Sequence, residues 1–155
     1  MKNFDAKIHA SSVENILELS GDLDEHCQIP SFKENKNIRI NLGKVTSVNS
    51  YGVKIWCQWM NIHKDWGSKI LEECPFVFVK NFHSVRGFLA PNVAVLSFYV
   101  PYFSDDTDER KDVLFLRERD FTKDGFIRFP EVKDSRGNKM ELDVIETSYF
   151  AFLKK

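Results

Sequence analysis

The sequence predicts an α/β protein: a mixed β-sheet with helices on one face, plus a small β-rich C-terminal extension. Three observations lead there. The stretch Ile38–Met60 reads as a strand, a polar turn able to cap a helix, and an aromatic-rich amphipathic helix. Strand and helix patterns alternate up to about residue 100. After Pro101 the pattern changes to short strands and turns, so we divide the chain into 1–100 and 101–155.

The elements follow in order. Phe4, Ala6, Ile8 and Ala10 alternate with polar residues and predict a strand. A turn at Ser11–Asn15 leads to a second strand, Ile16-Leu17-Glu18-Leu19, which Ser20-Gly21-Asp22 is expected to end; the pair forms a hairpin. Leu23–Asn37 is polar, contains Pro30, and supports only a short helix or irregular crossover. Ile38, Ile40 and Leu42 alternate with Arg39 and Asn41 in a third strand. A helix begins near Ser50, where Asn49 or Ser50 can accept a hydrogen bond from the free N–H groups of the first turn, and Gly67 is its expected stop. Phe76-Val77-Phe78-Val79 after Pro75 reads as a buried strand, and Asn81–Leu89 as a short helix closed by Pro91. Val93–Val100 is a long β-rich run. In the extension, Val113–Leu116 reads as a strand, Asp124-Gly125 as a hairpin tip, and Ser135–Asn138 as a second turn.

On a wheel of about 100° per residue, the helix after Ser50 carries two apolar faces. Val53, Trp56, Cys57 and Met60 form one, and Ile55, Trp59, Ile62 and Trp66 the other. One sheet covers one face. The second is expected under the C-terminal extension, with a homodimer or a partner protein as the alternatives.

The chain has 155 residues, is 43% hydrophobic and 29% charged, and carries a net charge of −1 from 22 basic and 23 acidic residues. That composition describes a folded domain and gives no field to draw it to nucleic acid or to an anionic membrane. No run approaches roughly 20 apolar residues, and the N-terminus lacks the apolar core of a signal peptide, so a cytoplasmic protein is expected. Cys27, Cys57 and Cys74 are an odd, scattered set and read as reduced thiols acting as small hydrophobes.

Enzyme chemistry is sparse. No Gly-rich phosphate loop is present, and His9, His26, His63 and His83 have no metal-ligand spacing. His26-Cys27 lacks a third member for nucleophilic catalysis. Asp105, Asp106 and Asp108 lack the Gly and terminal Glu of a calcium loop and read as a solvated turn. The expectation is a protein with no cofactor, no metal and no catalytic residue.

The blocks Leu19-Ser20-Gly21-Asp22-Leu23 and Ile38–Leu42 through Val53, in this order, resemble the STAS domain of bacterial anti-sigma-factor antagonists and sulfate transporters, over about residues 4–100. In that family the turn before the helix usually reads Asp-Ser-Ser-Gly or Asp-Ser-Thr-Gly. Its second hydroxyl residue is phosphorylated by a partner kinase that is also an anti-sigma factor. Matched to this chain, Asn49 takes the Asp position, Ser50 the first Ser, Tyr51 the phosphoacceptor and Gly52 the glycine. A tyrosine hydroxyl lies far from where a serine hydroxyl sits, so the usual phosphoswitch is expected to be lost, with Ser50 as the alternative acceptor. The resemblance implies a non-enzymatic signalling adaptor whose partner is an anti-sigma factor, a switch-kinase-like protein or another STAS assembly. The contact surface would be Asn49, Ser50, Tyr51, Gly52 and Lys54, with Asp22 and Asp24 beside them. A small-ligand or nucleotide-binding module, with the anion at the same helix N-terminus, and a structural homodimer through the Trp-rich helix are the rivals.

The segments Pro101-Tyr102-Phe103 and Lys133–Gly137 also resemble a zinc ribbon attached to some STAS-like proteins. The knuckle positions would be Ser104, Thr107, Lys133 and Arg136, none of which replaces a thiolate. The resemblance therefore implies a metal-free extension in which aromatic packing takes the metal's place.

Overall fold

A computed structural model describes residues 3–32 and 37–154. The protein is mixed α/β. Strands β1 (Asp5–Ala10), β2 (Glu14–Leu23), β3 (Asn37–Val48), β4 (Lys69–Glu72) and β5 (Val93–Val95) form one sheet in that spatial order. β1 and β2 are the expected antiparallel hairpin, and the β2–β3, β3–β4 and β4–β5 pairs are parallel. Strands β6 (Ser97–Phe103), β7 (Arg110–Leu116) and β8 (Glu141–Leu142) form a smaller antiparallel sheet in the order β7-β6-β8.

One face of the larger sheet is apolar. Leu17, Leu19 and Leu23 of β2 and Ile38, Ile40 and Leu42 of β3 alternate inward and are buried. The opposite face carries Glu14, Glu18, Arg39, Asn41 and Glu72. Arg39 pairs there with both Glu14 and Glu72, and Lys44 with Glu18 at 2.8 Å. A face whose charges satisfy one another in this way needs no second layer of helices. β2 does not end at Ser20-Gly21-Asp22. Gly21, at φ 82°, takes a register irregularity that no side chain would tolerate cheaply, and the strand continues to Leu23.

Helix α1 (Ser50–Ile62) lies on the apolar face, with Trp56 and Met60 buried. It stops at His63 rather than Gly67. The His63 ring stacks on Trp59 at 4.2 Å and meets the edge of Trp66 at 4.7 Å, and its Nδ1 lies 2.8 Å from the Trp59 carbonyl, which it caps. The second apolar face of α1 is not covered by the C-terminal extension. Trp59 is buried under the crossover after β2: its indole N–H donates to the Pro30 carbonyl at 2.8 Å, and Cys27, Ile29 and Phe32 join the same core. The indole N–H of Trp56 donates to the Phe88 carbonyl at 2.8 Å, so neither indole is left unsatisfied.

The run Phe76–Val79 is not a strand but the start of helix α2 (Phe76–Ser84), which also replaces the helix expected at Asn81–Leu89. Four consecutive apolar residues carry no period of their own. In the helix, Phe78, Val79 and Phe82 form the buried stripe, while Phe76 is exposed and Val77 half-buried. The strand of this region is instead β4, Lys69–Glu72, which pairs with β3 over Ile38–Asn41 only. The chain then turns away at Glu73, in the left-handed region at φ 51°, and Cys74 bridges to Phe98 of the second sheet. The β-rich run at Val93–Val100 is split at Leu96, so that β5 closes the first sheet and β6 opens the second.

The extension packs against α2 and around Phe98 of β6, which has Phe121 and Phe152 each at 5.1 Å, Phe115 at 5.6 Å and Phe150 at 6.0 Å. Helix α3 (Glu146–Tyr149) is fastened where the Tyr149 hydroxyl donates to the Tyr99 carbonyl at 2.6 Å. Phe126 remains largely exposed, outside this cluster.

The two turns expected at Ser104–Thr107 and near Gly137 face each other, but they meet through Asp134 rather than Lys133 or Arg136. Asp134 Oδ2 accepts from Ser104 Oγ at 2.6 Å, Thr107 Oγ1 at 3.3 Å and Asn138 Nδ2 at 3.1 Å, and Oδ1 accepts from the N–H groups of Arg136 and Asn138 at 2.9 Å each. Burial opposes ionisation here, but these donors outweigh it and hold the carboxyl well below the usual carboxylate range. Because the folded state depresses this pKa, the stability Asp134 contributes is complete above its unfolded value of 3.8 and drains away as the pH falls below it. Asp134→Ala should therefore lower the Tm at pH 7 and flatten the decline of Tm between about pH 4 and pH 2. Parallel melting curves for wild type and variant across that range would contradict this role.

Candidate functional site

The start of α1 is built from three hydrogen bonds of Asn49, one of them to the end of β2. The Asn49 N–H donates to the Leu23 carbonyl at 3.1 Å, the Asn49 carbonyl accepts from Val53 N–H at 2.9 Å, and Asn49 Oδ1 accepts from Gly52 N–H at 2.9 Å. Asn49, at φ −95° and ψ −177°, is thus the N-cap, and Ser50 is the first helical residue. The Asn49 side chain also donates from Nδ2 to Glu25 Oε2 at 3.1 Å, which clips the loop after β2 to the helix.

Gly52 is fixed by space. A Cβ there would lie 2.1 Å from the Leu23 carbonyl oxygen and 2.6 Å from its carbon, and both are backbone atoms that cannot swing aside. The first turn of α1 therefore rests directly on the end of β2. That contact turns the neighbouring positions outward: Asn49, Ser50 and Lys54 are exposed, and Tyr51 is 61% exposed.

Asp22 and Asp24 flank the tip and are half-buried. Asp22 Oδ1 accepts from Thr46 Oγ1 and Ser47 Oγ, both at 2.7 Å, and Asp24 Oδ1 accepts from the His26 N–H at 2.9 Å. These two carboxylates hold the loop and the end of β3 in place as well as lending charge. Glu25, missed in the sequence, belongs to the same group. Its own backbone N–H and the Asn49 amide hold its carboxyl below the usual range. No local sequence signal marks Glu25, since its role comes from a helix start 24 residues away.

The tip thus combines an exposed phenol, one lysine and three carboxylates. An anion at this helix N-terminus would gain from the helix dipole but meet Asp22, Asp24 and Glu25. The arrangement suits a protein surface that buries the Tyr51 ring and offers donors to the carboxylates.

The remaining sequence candidates fall elsewhere. His26 is exposed and Cys27 buried. Burial pushes the thiols of Cys27, Cys57 and Cys74 up, which keeps them protonated and poorly nucleophilic. Asp105, Asp106 and Asp108 are exposed on the turn after β6, and among the described residues no three His, Cys, Asp or Glu side chains converge as metal ligands. Among the described residues, no helix is long and apolar enough to cross a membrane. No family model matches the chain, and no curated protein matches it significantly.

Two substitutions test the geometry. Gly52→Ala should cost at least about 1–3 kcal/mol by forcing α1 off β2, and Asn49→Ala about 1 kcal/mol through loss of the cap. Urea unfolding of both variants measures this, and a Gly52→Ala protein as stable as wild type would refute the packing of the tip.

Proposed function

We propose that this chain is a non-enzymatic, STAS-like cytoplasmic adaptor that acts by binding another protein at the N-terminus of α1. The carrying observation is Tyr51, held 61% exposed on a helix start that Asn49 caps and Gly52 seats on β2. A large aromatic presented on a rigid frame loses little entropy on binding and buries much area, which is how hot spots at interfaces work. The resemblance of the two sequence blocks to the STAS domain supports the same surface. It suggests an anti-sigma-factor or switch-kinase-like partner, with the serine phosphoswitch lost because Tyr51 stands at the acceptor position. Ser50 is the residue left to accept a phosphate, and a phosphate there would add charge to a tip already carrying three carboxylates.

The nucleotide-binding reading fits this surface less well, since Asp22, Asp24 and Glu25 oppose an anion. The homodimer reading has less to rest on as well. Trp56 and Trp59 are covered within one copy, and of the wide helix face Ile62 remains exposed.

The test is recovery of partners from the native cell by wild type and by Tyr51→Ala. The variant should unfold at the same denaturant concentration as wild type and lose at least one partner by about tenfold or more, the loss of a hot spot of about 1.4 kcal/mol or above. Equal recovery of every partner by both forms would remove the proposal.

A further inference from the structure

We propose an acid-operated latch at the end of α1: protonation of His63 opens the aromatic box around it and frees residues 24–32 of the crossover from Trp59. The His63 ring is fully buried, stacked on Trp59 at 4.2 Å and met by the edge of Trp66 at 4.7 Å. Its Nδ1 lies 2.8 Å from the Trp59 carbonyl. A carbonyl oxygen only accepts, so Nδ1 carries the proton of the neutral ring and Nε2 is a bare lone pair. Nε2 is buried, and so is the Nζ of Lys69 in β4; among the described residues neither has a hydrogen-bond partner. Buried orphans cost stability, and two whose charges act on each other call for a role.

The box accepts the neutral ring and rejects the protonated one. A second ring proton would lie on Nε2, out of water, without an acceptor and in the field of the Lys69 ammonium. The other charges lie elsewhere. Lys64 and Asp65, in the turn after His63, are exposed, and Asp65 acts on Lys69 rather than on the ring. Arg39 of β3 and Glu72 of β4 pair on the opposite face of the sheet. Asp24, Glu25 and His26 of the crossover lie at the other end of α1, beside Asn49. Burial lowers the His63 pKa from its ordinary 6.5; the Trp59 carbonyl opposes this and Lys69 adds to it. Because the closed box depresses this pKa, the stability that the neutral ring lends is complete above 6.5 and drains away as the pH falls below it. Burial lowers the Lys69 pKa as well, and acid can only add charge there.

The box also holds the crossover. Trp59 donates its indole N–H to the Pro30 carbonyl at 2.8 Å, and Cys27, Ile29 and Phe32 join the same core. The His63 ring backs that indole. When the imidazolium turns out to water, Trp59 loses this support and its bond to Pro30 with it. Trp56, fully buried and bonded to the Phe88 carbonyl at 2.8 Å, stays in the core beneath and serves as an internal reference.

The experiment is an NMR titration of the full chain from about pH 8 to about pH 5, the range in which a histidine changes charge. It follows the His63 ring proton and the indole N–H signals of Trp59 and Trp56. The expected result is loss of the Trp59 signal with a midpoint below 6.5, in step with His63, while the Trp56 signal persists. His63→Phe, which keeps an aromatic ring and cannot titrate, should hold the Trp59 signal across the range. Lys69→Met, which removes the ammonium, should shift the transition to lower pH. A Trp59 signal unchanged down to the acid end in wild type, loss of both indoles together, or a transition that neither substitution moves would overturn the proposal. The wild-type titration decides alone if a variant does not fold. No partner at the α1 tip is needed, so the outcome is separate from the fate of the Tyr51 surface.

Discussion

The Leu23 carbonyl leaves no room for a side chain above it, and the shape of the exposed α1 tip follows from that. With a Cβ at residue 52 only 2.1 Å from the oxygen, the helix start can approach β2 this closely only as glycine. Once seated, Asn49 finds the Leu23 carbonyl for its own N–H and the Gly52 N–H for its side chain, so cap and contact reinforce each other. The geometry fixes which residues look outward. Ser50, Tyr51 and Lys54 occupy the open side of a first turn whose other side is pressed onto the sheet. A phenol presented in this way is preorganised, and preorganisation is what converts exposed area into affinity.

The second constraint is the fork at Glu73. A strand that pairs for four residues and then leaves its neighbour divides one sheet from the other while keeping a common apolar core. Phe98 of β6 gathers aromatic rings from β7 and from the C-terminal segment, and Phe82 of α2 meets Phe152 at 5.1 Å. Beyond that core the extension is tied by a carboxylate. Asp134 collects hydroxyl and amide donors from two facing turns, so a buried charge is stabilised by converging hydrogen bonds.

Local signals in the sequence reached the elements that satisfy local rules. The β1–β2 hairpin and the inward residues of β3 followed from period-two alternation. The start of α1 followed from Asn49 and Ser50, although only coordinates decide between them: both side chains can cap, and the one whose backbone is extended does so. Phe76–Val79 misled because an unbroken apolar run has no period, and the helix it forms is dictated by the sheet and aromatic cluster it packs between. β4 was illegible for the converse reason: Lys69-Ile70-Leu71-Glu72 is too short to show alternation and becomes a strand because β3 and β5 lie on either side. The cover over Trp59 was also out of reach, since a polar crossover around Pro30 gives no sign of closing over an indole. At the site, Tyr51 and Gly52 were legible from the turn pattern, whereas Glu25 joins through a long-range hydrogen bond. Asp134 had a local cue in Asp-Ser-Arg-Gly-Asn, a sequence suited to a side chain accepting from its own turn, but its link to Ser104 did not.

The central claim is that the Tyr51 ring meets another protein. Its most direct measurement replaces that ring with a photoreactive one, Tyr51→p-benzoylphenylalanine, and compares it with the same group at Val13, which is 72% exposed on the hairpin far from the α1 start. Irradiation in the native cell should give a covalent adduct between the chain and one different protein from position 51 and none from position 13. No adduct at position 51, or the same adduct from both positions, would contradict the account.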